Sequence, residues 1–159
     1  MNLPLLDGAA LVALTALLIV ASAVDLRQRI IPNGVVIGLA AVWAAWQAGR
    51  LLLGVGWQPV IDGLVGAAII GGGLLVFTLL YERITRKQAM GGGDIKLMAA
   101  CALYLGLERG ALCLLIACAL GVLLAAIIPH TRFARADERA AMPFGPAIAL
   151  ATLGCLLIP

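Results

Sequence analysis

Apolar residues fill most of the chain in long runs, and short polar connections separate these runs. A helix that crosses a membrane needs about 20 mostly apolar residues, because each residue adds about 1.5 Å along a core roughly 30 Å thick. Six runs are candidates: Leu5–Val24, Gly34–Leu53, Pro59–Tyr81, Ile95–Leu107, Ala111–Ile128 and Pro146–Ile158. We therefore expect an all-α polytopic membrane protein with six transmembrane helices, in which residues 1–159 form a single domain.

The overall composition supports this interpretation, since 64% of the residues are hydrophobic and 12% are charged. Soluble domains carry roughly 25% charged residues. The first run ends in Ala21-Ser22-Ala23, which matches a signal-peptide cleavage pattern. A secretory signal also has a positive segment before a shorter apolar core, whereas residues 1–10 contain no Lys or Arg and do contain Asp7. We expect this run to be a retained span.

Basic residues concentrate in three alternate connections, 25–33, 82–96 and 129–142. These connections hold nine of the eleven basic residues: Arg27, Arg29, Arg83, Arg86, Lys87, Lys96, Arg132, Arg135 and Arg139. Arg50 and Arg109 are left for the other side. Because Lys and Arg collect in cytoplasmic loops, we expect the three connections to face the cytoplasm and both termini to lie outside.

Several glycines have the spacing of close helix contacts in membranes. Gly34 and Gly38 form a GxxxG pair in the second span, and Gly63, Ala67 and Gly71 share one face of the third. Gly71-Gly72-Gly73 lies in the middle of a span, where each glycine lowers helix propensity. We interpret this run as tight helix packing.

Metal and Ser-His-Asp chemistry are disfavoured by the residue inventory. The four cysteines lie in apolar runs without a CxxC pair, so we expect buried thiols that act as small hydrophobic groups. His130 is the only histidine and Ser22 the only serine. We expect no metal and no cofactor.

Two acidic residues stand out because the predicted topology places both at the cytoplasmic face. Asp25 lies where the first span ends, and Asp94 lies where the fourth begins. A carboxylate near lipid is costly and is a functional hypothesis by default. The alternative is structural: Asp25 pairs with Arg29 one turn later, and Asp94 caps its helix.

A pair of aspartates has a defined chemistry. Like charges in contact resist double ionisation, so the two carboxyl groups share one proton. The ionised group then draws a proton from water, and the protonated group hydrogen-bonds the carbonyl oxygen of a peptide bond. Glycines before Asp94 allow close backbone approach by an extended peptide.

Three segments resemble conserved blocks of the type IV prepilin peptidases, a GxGD aspartic peptidase family. Block 1 is Asp25-Leu-Arg-Gln-Arg-Ile-Ile-Pro-Asn33, block 2 is Met90-Gly-Gly-Gly-Asp-Ile-Lys96, and block 3 is Met142-Pro-Phe-Gly-Pro146. They occur in the family's order and on its cytoplasmic side, and the similarity covers nearly the whole chain. Signal peptide peptidase and presenilin, which are more distant GxGD proteases, have a tyrosine where Val24 stands.

The resemblance implies a membrane-embedded aspartic endopeptidase of the bacterial inner membrane, with the active site facing the cytoplasm. Such enzymes remove the basic leader peptide from type IV prepilins or pseudopilins. The family's two catalytic aspartates correspond to Asp25 and Asp94. The implied supporting residues are Arg29, Pro32, Asn33, Gly91, Gly92, Gly93, Lys96, Pro143, Phe144 and Gly145.

Larger members of the family have an extra cytoplasmic region, often with paired CxxC motifs, that is associated with N-methylation. The sequence has no such region, so it resembles the short peptidase-only type found with Flp/Tad pilus systems. A methyltransferase activity is therefore not expected. The partners implied are a prepilin and the lipid bilayer, and no nucleic acid.

Three further hypotheses concern the mechanism. Asp94 begins a helix, where the dipole favours an anion, and Asp25 ends one, so Asp94 is expected to be the base and Asp25 the proton donor.

Arg29 or Lys96 could hold a glutamate that type IV pilins carry early in the mature region; ordinary positive-inside charge is the alternative.

The fourth and sixth spans are short, at thirteen residues or about 20 Å. GGGD and PFGP are therefore expected to dip below the cytoplasmic surface and to line a wet cleft, unless the bilayer thins locally. Two competing classes remain at this stage: a small membrane transporter or channel subunit, and a non-catalytic scaffold of a secretion machine.

Overall fold

A computed structural model of the chain describes residues 3–87, 89–127 and 144–157, and every regular element in these ranges is an α-helix. The helices are α1 (Leu3–Gln28), α2 (Asn33–Leu52), α3 (Gln58–Thr85), α4 (Gly92–Ile127) and α5 (Gly145–Leu157). By length and composition, α1, α2, α3 and the Gly92–Leu124 part of α4 are able to cross a membrane. The expected all-helical architecture is confirmed.

The expected number of spans and the placement of the termini remain predictions, because α4 alone covers the fourth and fifth predicted spans. α5 has 13 residues and is a shorter apolar helix. Three parts of the sequence prediction lie outside the described residues: the basic connection 129–142, Pro143, and the last residues of the fifth and sixth spans, Ile128 and Ile158.

A single glycine breaks α4 into two halves. Gly106 has φ 71° and ψ −168°, which is not helical. A Cβ placed on Gly110 would lie 3.5 Å from the Cβ of Ala102, although eight residues of straight helix would separate these positions by about 12 Å. The chain therefore folds back at Gly106, and the two halves of α4 pack against each other as a hairpin.

Glycines of α3 let this helix approach the hairpin closely. A Cβ on Gly66 would lie 2.7 Å from the carbonyl oxygen of Gly106, and one on Gly71 would lie 2.7 Å from the Cβ of Ala99. Gly72, Gly73 and Gly34 have no described neighbour within 4 Å of such a Cβ. The packing role expected for the glycine run is thus met at Gly71 alone.

The core lies where α1, α4 and α5 meet. Its fully buried side chains include Leu14, Leu18, Leu97, Met98 and Ile148. Burial of each such side chain contributes roughly 1.5–3 kcal/mol. Three cysteines are buried free thiols as expected, whereas Cys118 is exposed, because it falls on the outward face of α4. The helices follow one another around the bundle as α2, α1, α5, α4 and α3, and α2 also contacts α4.

The two ends of the bundle carry different polar groups. Asp25 and Asp94 mark one end, which we call the dyad end. Asp7, at the other end of α1, accepts a hydrogen bond of 2.8 Å from the Trp46 indole. Eighteen residues of helix separate Asp7 from Asp25, about 27 Å. Gly106 lies near Asp62, and this opposite end is called the Gly106 end.

Candidate active site

Asp25 occupies the last turn of α1 and is buried, with 4% of its surface exposed. Its Oδ2 accepts a hydrogen bond of 2.7 Å from the backbone N–H of Gly145, the first residue of α5. A Cβ at position 145 would lie 2.8 Å from the same oxygen. Block 3 therefore meets block 1 at a carboxylate, and the contact requires glycine.

Asp94 occupies the first turn of α4 and is partly buried. The backbone N–H of Gly91 donates to its carboxylate, while the backbone N–H of Asp94 donates to the Gly91 carbonyl at 3.0 Å. The negative charge of Asp25 acts on the Asp94 carboxyl group. The structure thus brings together the two acids that lie 69 positions apart in the sequence.

The three glycines of block 2 have three different surroundings. Gly91 lies against the Asp94 carboxylate, with a Cβ there 2.9 Å from Oδ2. Gly93 lies against Ile31, with a Cβ there 3.1 Å from the Ile31 Cβ. Gly92 is exposed and has no described neighbour within 4 Å of a Cβ. Of the three glycines, Gly92 alone has open space beside it among the described residues.

Block 1 turns sharply between α1 and α2 to reach Gly93. Arg29 leaves α1 in the left-handed region at φ 55°, which costs about 1–2 kcal/mol for a residue with a side chain. This turn places Ile31 in the core, with 7% of its surface exposed. Pro32 then continues in extended conformation and α2 begins at Asn33.

Block 1 and block 2 also meet at their polar edges. The Lys96 ammonium donates to the Asn33 amide oxygen at 3.2 Å, and both side chains are exposed. The positive charge of Arg29 acts on Asp25. The two cations singled out in the sequence therefore lie in different places, with Arg29 facing the carboxylate and Lys96 lying at the rim.

Phe144 connects block 3 to the second half of α4. Its ring packs directly on Gly121, where any Cβ would overlap it. Pro143 lies outside the described residues. Gly121 and Ile31 were missed by sequence reasoning, because neither a glycine in an apolar run nor an isoleucine in a connection carries a signal of a contact with a distant block. The hydrogen bond from Gly145 was missed for the same reason.

No group of three or more His, Cys, Asp or Glu residues lies close enough to hold a metal ion within the described part of the chain. The chemical groups that the site presents are two carboxyl groups, two backbone N–H donors and a nearby guanidinium. Such a pair is suited to sharing one proton and to general acid–base chemistry.

An apolar helical bundle with a pair of carboxyl groups at one end defines the class of multi-pass membrane proteins with a paired-aspartate site. Residues 12–126 match the family described as the type IV leader peptidase family. The chain belongs to this family.

Curated relatives share the same name, prepilin leader peptidase/N-methyltransferase. The protein from Xanthomonas campestris pv. campestris is 30% identical over 146 residues, which cover 91% of this chain and 48% of the relative. That from Pseudomonas putida is 32% identical over 147 residues, covering 91% and 48%. That from Pseudomonas aeruginosa is 29% identical over 145 residues, covering 91% and 48%.

The chain therefore spans about half the length of the curated relatives that it matches. No solved structure matches it.

Proposed function

We propose that the chain is a membrane-embedded aspartic endopeptidase that removes the basic leader peptide from type IV prepilins or pseudopilins. The observation that carries this proposal is the convergence of the three blocks on two carboxyl groups. Gly145 of block 3 binds Asp25 of block 1, and Gly93 of block 2 packs on Ile31 of block 1. Membership of the leader peptidase family supports the same activity.

Hydrolysis proceeds in two proton-transfer steps with the dyad in alternate protonation states. The ionised carboxylate takes a proton from water while the oxygen attacks the peptide carbonyl, and the protonated partner donates its proton to the carbonyl oxygen. The tetrahedral gem-diol then collapses: the C–N bond breaks as the amine takes the proton of the first carboxyl group, and one gem-diol hydroxyl returns its proton to the second carboxylate, which restores the starting dyad. Each such proton transfer contributes about 10²- to 10⁴-fold to the rate.

The surroundings of the two acids favour a division of roles opposite to that expected from the ends of α1 and α4. Asp94 lies in the first turn of α4, but Asp25 also lies at a helix N-terminus, that of α5. Among the described residues, the cation Arg29 acts on Asp25, and no cation is seen to act on Asp94. Negative charge is therefore better stabilised on Asp25, so Asp25 is the base and Asp94 holds the shared proton.

Co-expression with a prepilin tests the activity. Wild-type protein is expected to remove the leader, and Asp25→Asn and Asp94→Asn are each expected to lower the rate at least about 100-fold, since each removes a proton-transfer group. Glu82→Gln is the matched control, because Glu82 is an acid near the dyad end without a place in the blocks. Immunoblots of precursor and mature pilin measure the result.

Leader removal by either asparagine variant at the wild-type rate contradicts the proposal. The division of roles has its own readout in the binding of an uncleaved prepilin. Asparagine resembles a protonated acid, so Asp94→Asn is expected to keep substrate affinity within about threefold, whereas Asp25→Asn is expected to lose more. The reverse order would assign the base to Asp94.

We also propose that the chain crosses the bacterial inner membrane six times as one domain, with both termini outside and the dyad facing the cytoplasm. The hairpin at Gly106 supports separate fourth and fifth crossings. In the described residues, Arg27, Arg29, Arg83, Arg86, Lys87 and Lys96 lie toward the dyad end, which the positive-inside rule places in the cytoplasm.

Single cysteines in a cysteine-free background test this topology. A cysteine at Gly92 or Phe144 is expected to react with a water-soluble maleimide from the cytoplasmic side only. A cysteine at Glu108, beside the Gly106 turn, is expected to react from the outside only. Labelling of position 108 from the cytoplasm would mean that the hairpin does not cross the membrane.

A further inference from the structure

A cavity of about 250 Å³ lies at the Gly106 end, away from the dyad. It is formed where α2, α3, α4 and α5 meet. Its polar or aromatic lining consists of Trp46, Gln47, Arg50, Asp62, Tyr104 and Arg109. Pockets for drug-sized ligands are about 300–1,000 Å³, so this volume suits a smaller group. The leader-peptide chemistry proposed above does not use this cavity.

The cavity holds both cations that the topology leaves on this side of the membrane, Arg50 and Arg109. The Arg50 guanidinium stacks on Trp46, 4.8 Å from the ring centroid. Its Nε is buried and has no hydrogen-bond partner among the described residues. A buried guanidinium donor without an acceptor costs free energy, so this site lacks an anion that would complete it.

A second polar group lines the same cavity. Gln47 is 5% exposed, and its side-chain amide carries two N–H donors. Two kinds of donor, a guanidinium and an amide, therefore lie around one cavity.

We propose that this cavity binds the headgroup of a zwitterionic phospholipid, a phosphodiester joined to a primary ammonium group. Arginine forks match phosphate oxygens and bind them with two parallel hydrogen bonds. Arg50 and Arg109 hold the phosphodiester, and the Gln47 amide donates to it. The cavity lies at the Gly106 end, which the proposed topology places at the outer surface of the membrane, where lipid phosphates are abundant.

The lining also selects the second half of the headgroup. Asp62 lies at the cavity, and its Oδ1 accepts a hydrogen bond of 2.9 Å from the Gln58 amide. In the proposed complex, its Oδ2 receives the ammonium group. A carboxylate repels the phosphate of both lipids equally, but it attracts an ammonium group, which ethanolamine carries and glycerol does not. Phosphatidylethanolamine fits this charge pattern, and phosphatidylglycerol does not.

Native mass spectrometry of the whole chain, released from detergent with added lipid, tests the proposal. The wild type is expected to retain one phosphatidylethanolamine in preference to phosphatidylglycerol. Arg50→Gln is expected to weaken this binding about tenfold, because it removes a charge-assisted pair. Arg83→Gln is the matched control, an exposed cation toward the dyad end, and is expected to change binding by less than about twofold.

A further variant and two competitors distinguish a lipid headgroup from free phosphate as the ligand of the cavity. Asp62→Asn is expected to remove the preference for ethanolamine while phosphatidylethanolamine still binds. Glycerophosphoethanolamine is expected to compete weakly, and inorganic phosphate is not expected to compete at equal concentration. Displacement of the lipid by inorganic phosphate would make the site one for free phosphate and would overturn the proposal.

The exposed side chain of Arg109 provides a second variant in case Arg50→Gln does not fold. Arg109→Gln is expected to weaken phosphatidylethanolamine binding about threefold. If a folded Arg50→Gln protein binds phosphatidylethanolamine as the wild type does, the proposed lipid site is overturned. If Arg50→Gln does not fold, wild-type binding by Arg109→Gln has the same consequence. Leader removal is expected to be unchanged in these variants, so failure here is distinct from failure of the peptidase proposal.

Discussion

The dyad end and the Gly106 end both concentrate polar groups at an end of the helical bundle, but they hold charge in opposite ways. At the dyad end, backbone N–H groups of Gly145 and Gly91 are directed at two side-chain carboxylates. At the Gly106 end, the buried side-chain donor Arg50 Nε has no acceptor in the described structure.

This difference shows that the chain itself supplies the partners of the charged groups at the dyad end. Backbone donors at helix ends stabilise an anion with little reorganisation, which suits acids that must stay in place during a reaction. Buried side-chain donors are usually completed by a ligand or by water. The comparison therefore agrees with the two proposals, chemistry at the dyad end and ligand binding at the Gly106 end.

Among the substitutions that test this comparison, we expect the largest effect from a change at Gly106, which lowers the stability of the fold. Gly106→Ala places a side chain at φ 71° and ψ −168°, a region open essentially to glycine alone, at a cost of about 1–3 kcal/mol. We expect a lower thermal unfolding temperature in detergent. Gly72→Ala is the control, since a Cβ there meets open space among described residues and alanine favours helix.

The same variant tests whether the two ends are independent. Leader removal per folded Gly106→Ala molecule is expected to stay within about twofold of wild type, because the strain lies at the far end of the hairpin. A large loss of cleavage without any change in unfolding temperature would break the division between the ends.

A smaller effect is expected where blocks 1 and 2 touch. Gly93→Ala puts a Cβ 3.1 Å from the Ile31 Cβ, and the crowding moves block 2 with its aspartate away from block 1. Displacement of an acid from a shared-proton geometry is expected to lower the cleavage rate about tenfold, close to 1.4 kcal/mol.

Gly92→Ala is the matched control for this prediction, one position away and without a described neighbour. It is expected to alter cleavage less than about threefold. Equal losses in the two variants would show that block 2 is sensitive to any added side chain, as a surface facing substrate would be, and not to contact with Ile31.

The smallest effect is expected at the rim of the dyad end. Lys96→Gln keeps a donor for Asn33 but removes a positive charge that we propose to pair with a glutamate of the substrate. An exposed pair is worth about 0.2–1 kcal/mol, so processing of a glutamate-containing prepilin is expected to slow up to about fivefold. Equal slowing of a prepilin without the glutamate would exclude direct pairing.

The sequence was sufficient to predict the helices, because apolar runs of membrane length leave few other structures. It also placed Asp25 and Asp94 at one end, since the alternation of basic connections is a global property of the chain. Block 3 entered through family resemblance, and its actual contact, the N–H of Gly145 on Asp25, had no signature in the sequence.

What could not be predicted was the register between helices. In a soluble helix, periodic polar residues mark the outward face, but nearly uniform apolar helices such as α3 and α4 have no such marker. The approach of Gly66 to Gly106 and the exposure of Gly72 and Gly73 therefore emerge only in three dimensions. For the same reason, the cavity at the Gly106 end could not be predicted from the sequence.

The reversal at Gly106 also determines how deep in the membrane Asp94 lies in the proposed topology. Twelve residues separate Gly106 from Asp94, about 18 Å of helix, while the hydrocarbon core is about 30 Å thick. In the proposed topology, with Gly106 at the outer boundary, Asp94 lies roughly 12 Å short of the inner one. In the proposed peptidase, a peptide bond would have to descend to that level to be cut, so we expect its distance from the substrate's apolar segment to select it more strictly than its flanking side chains.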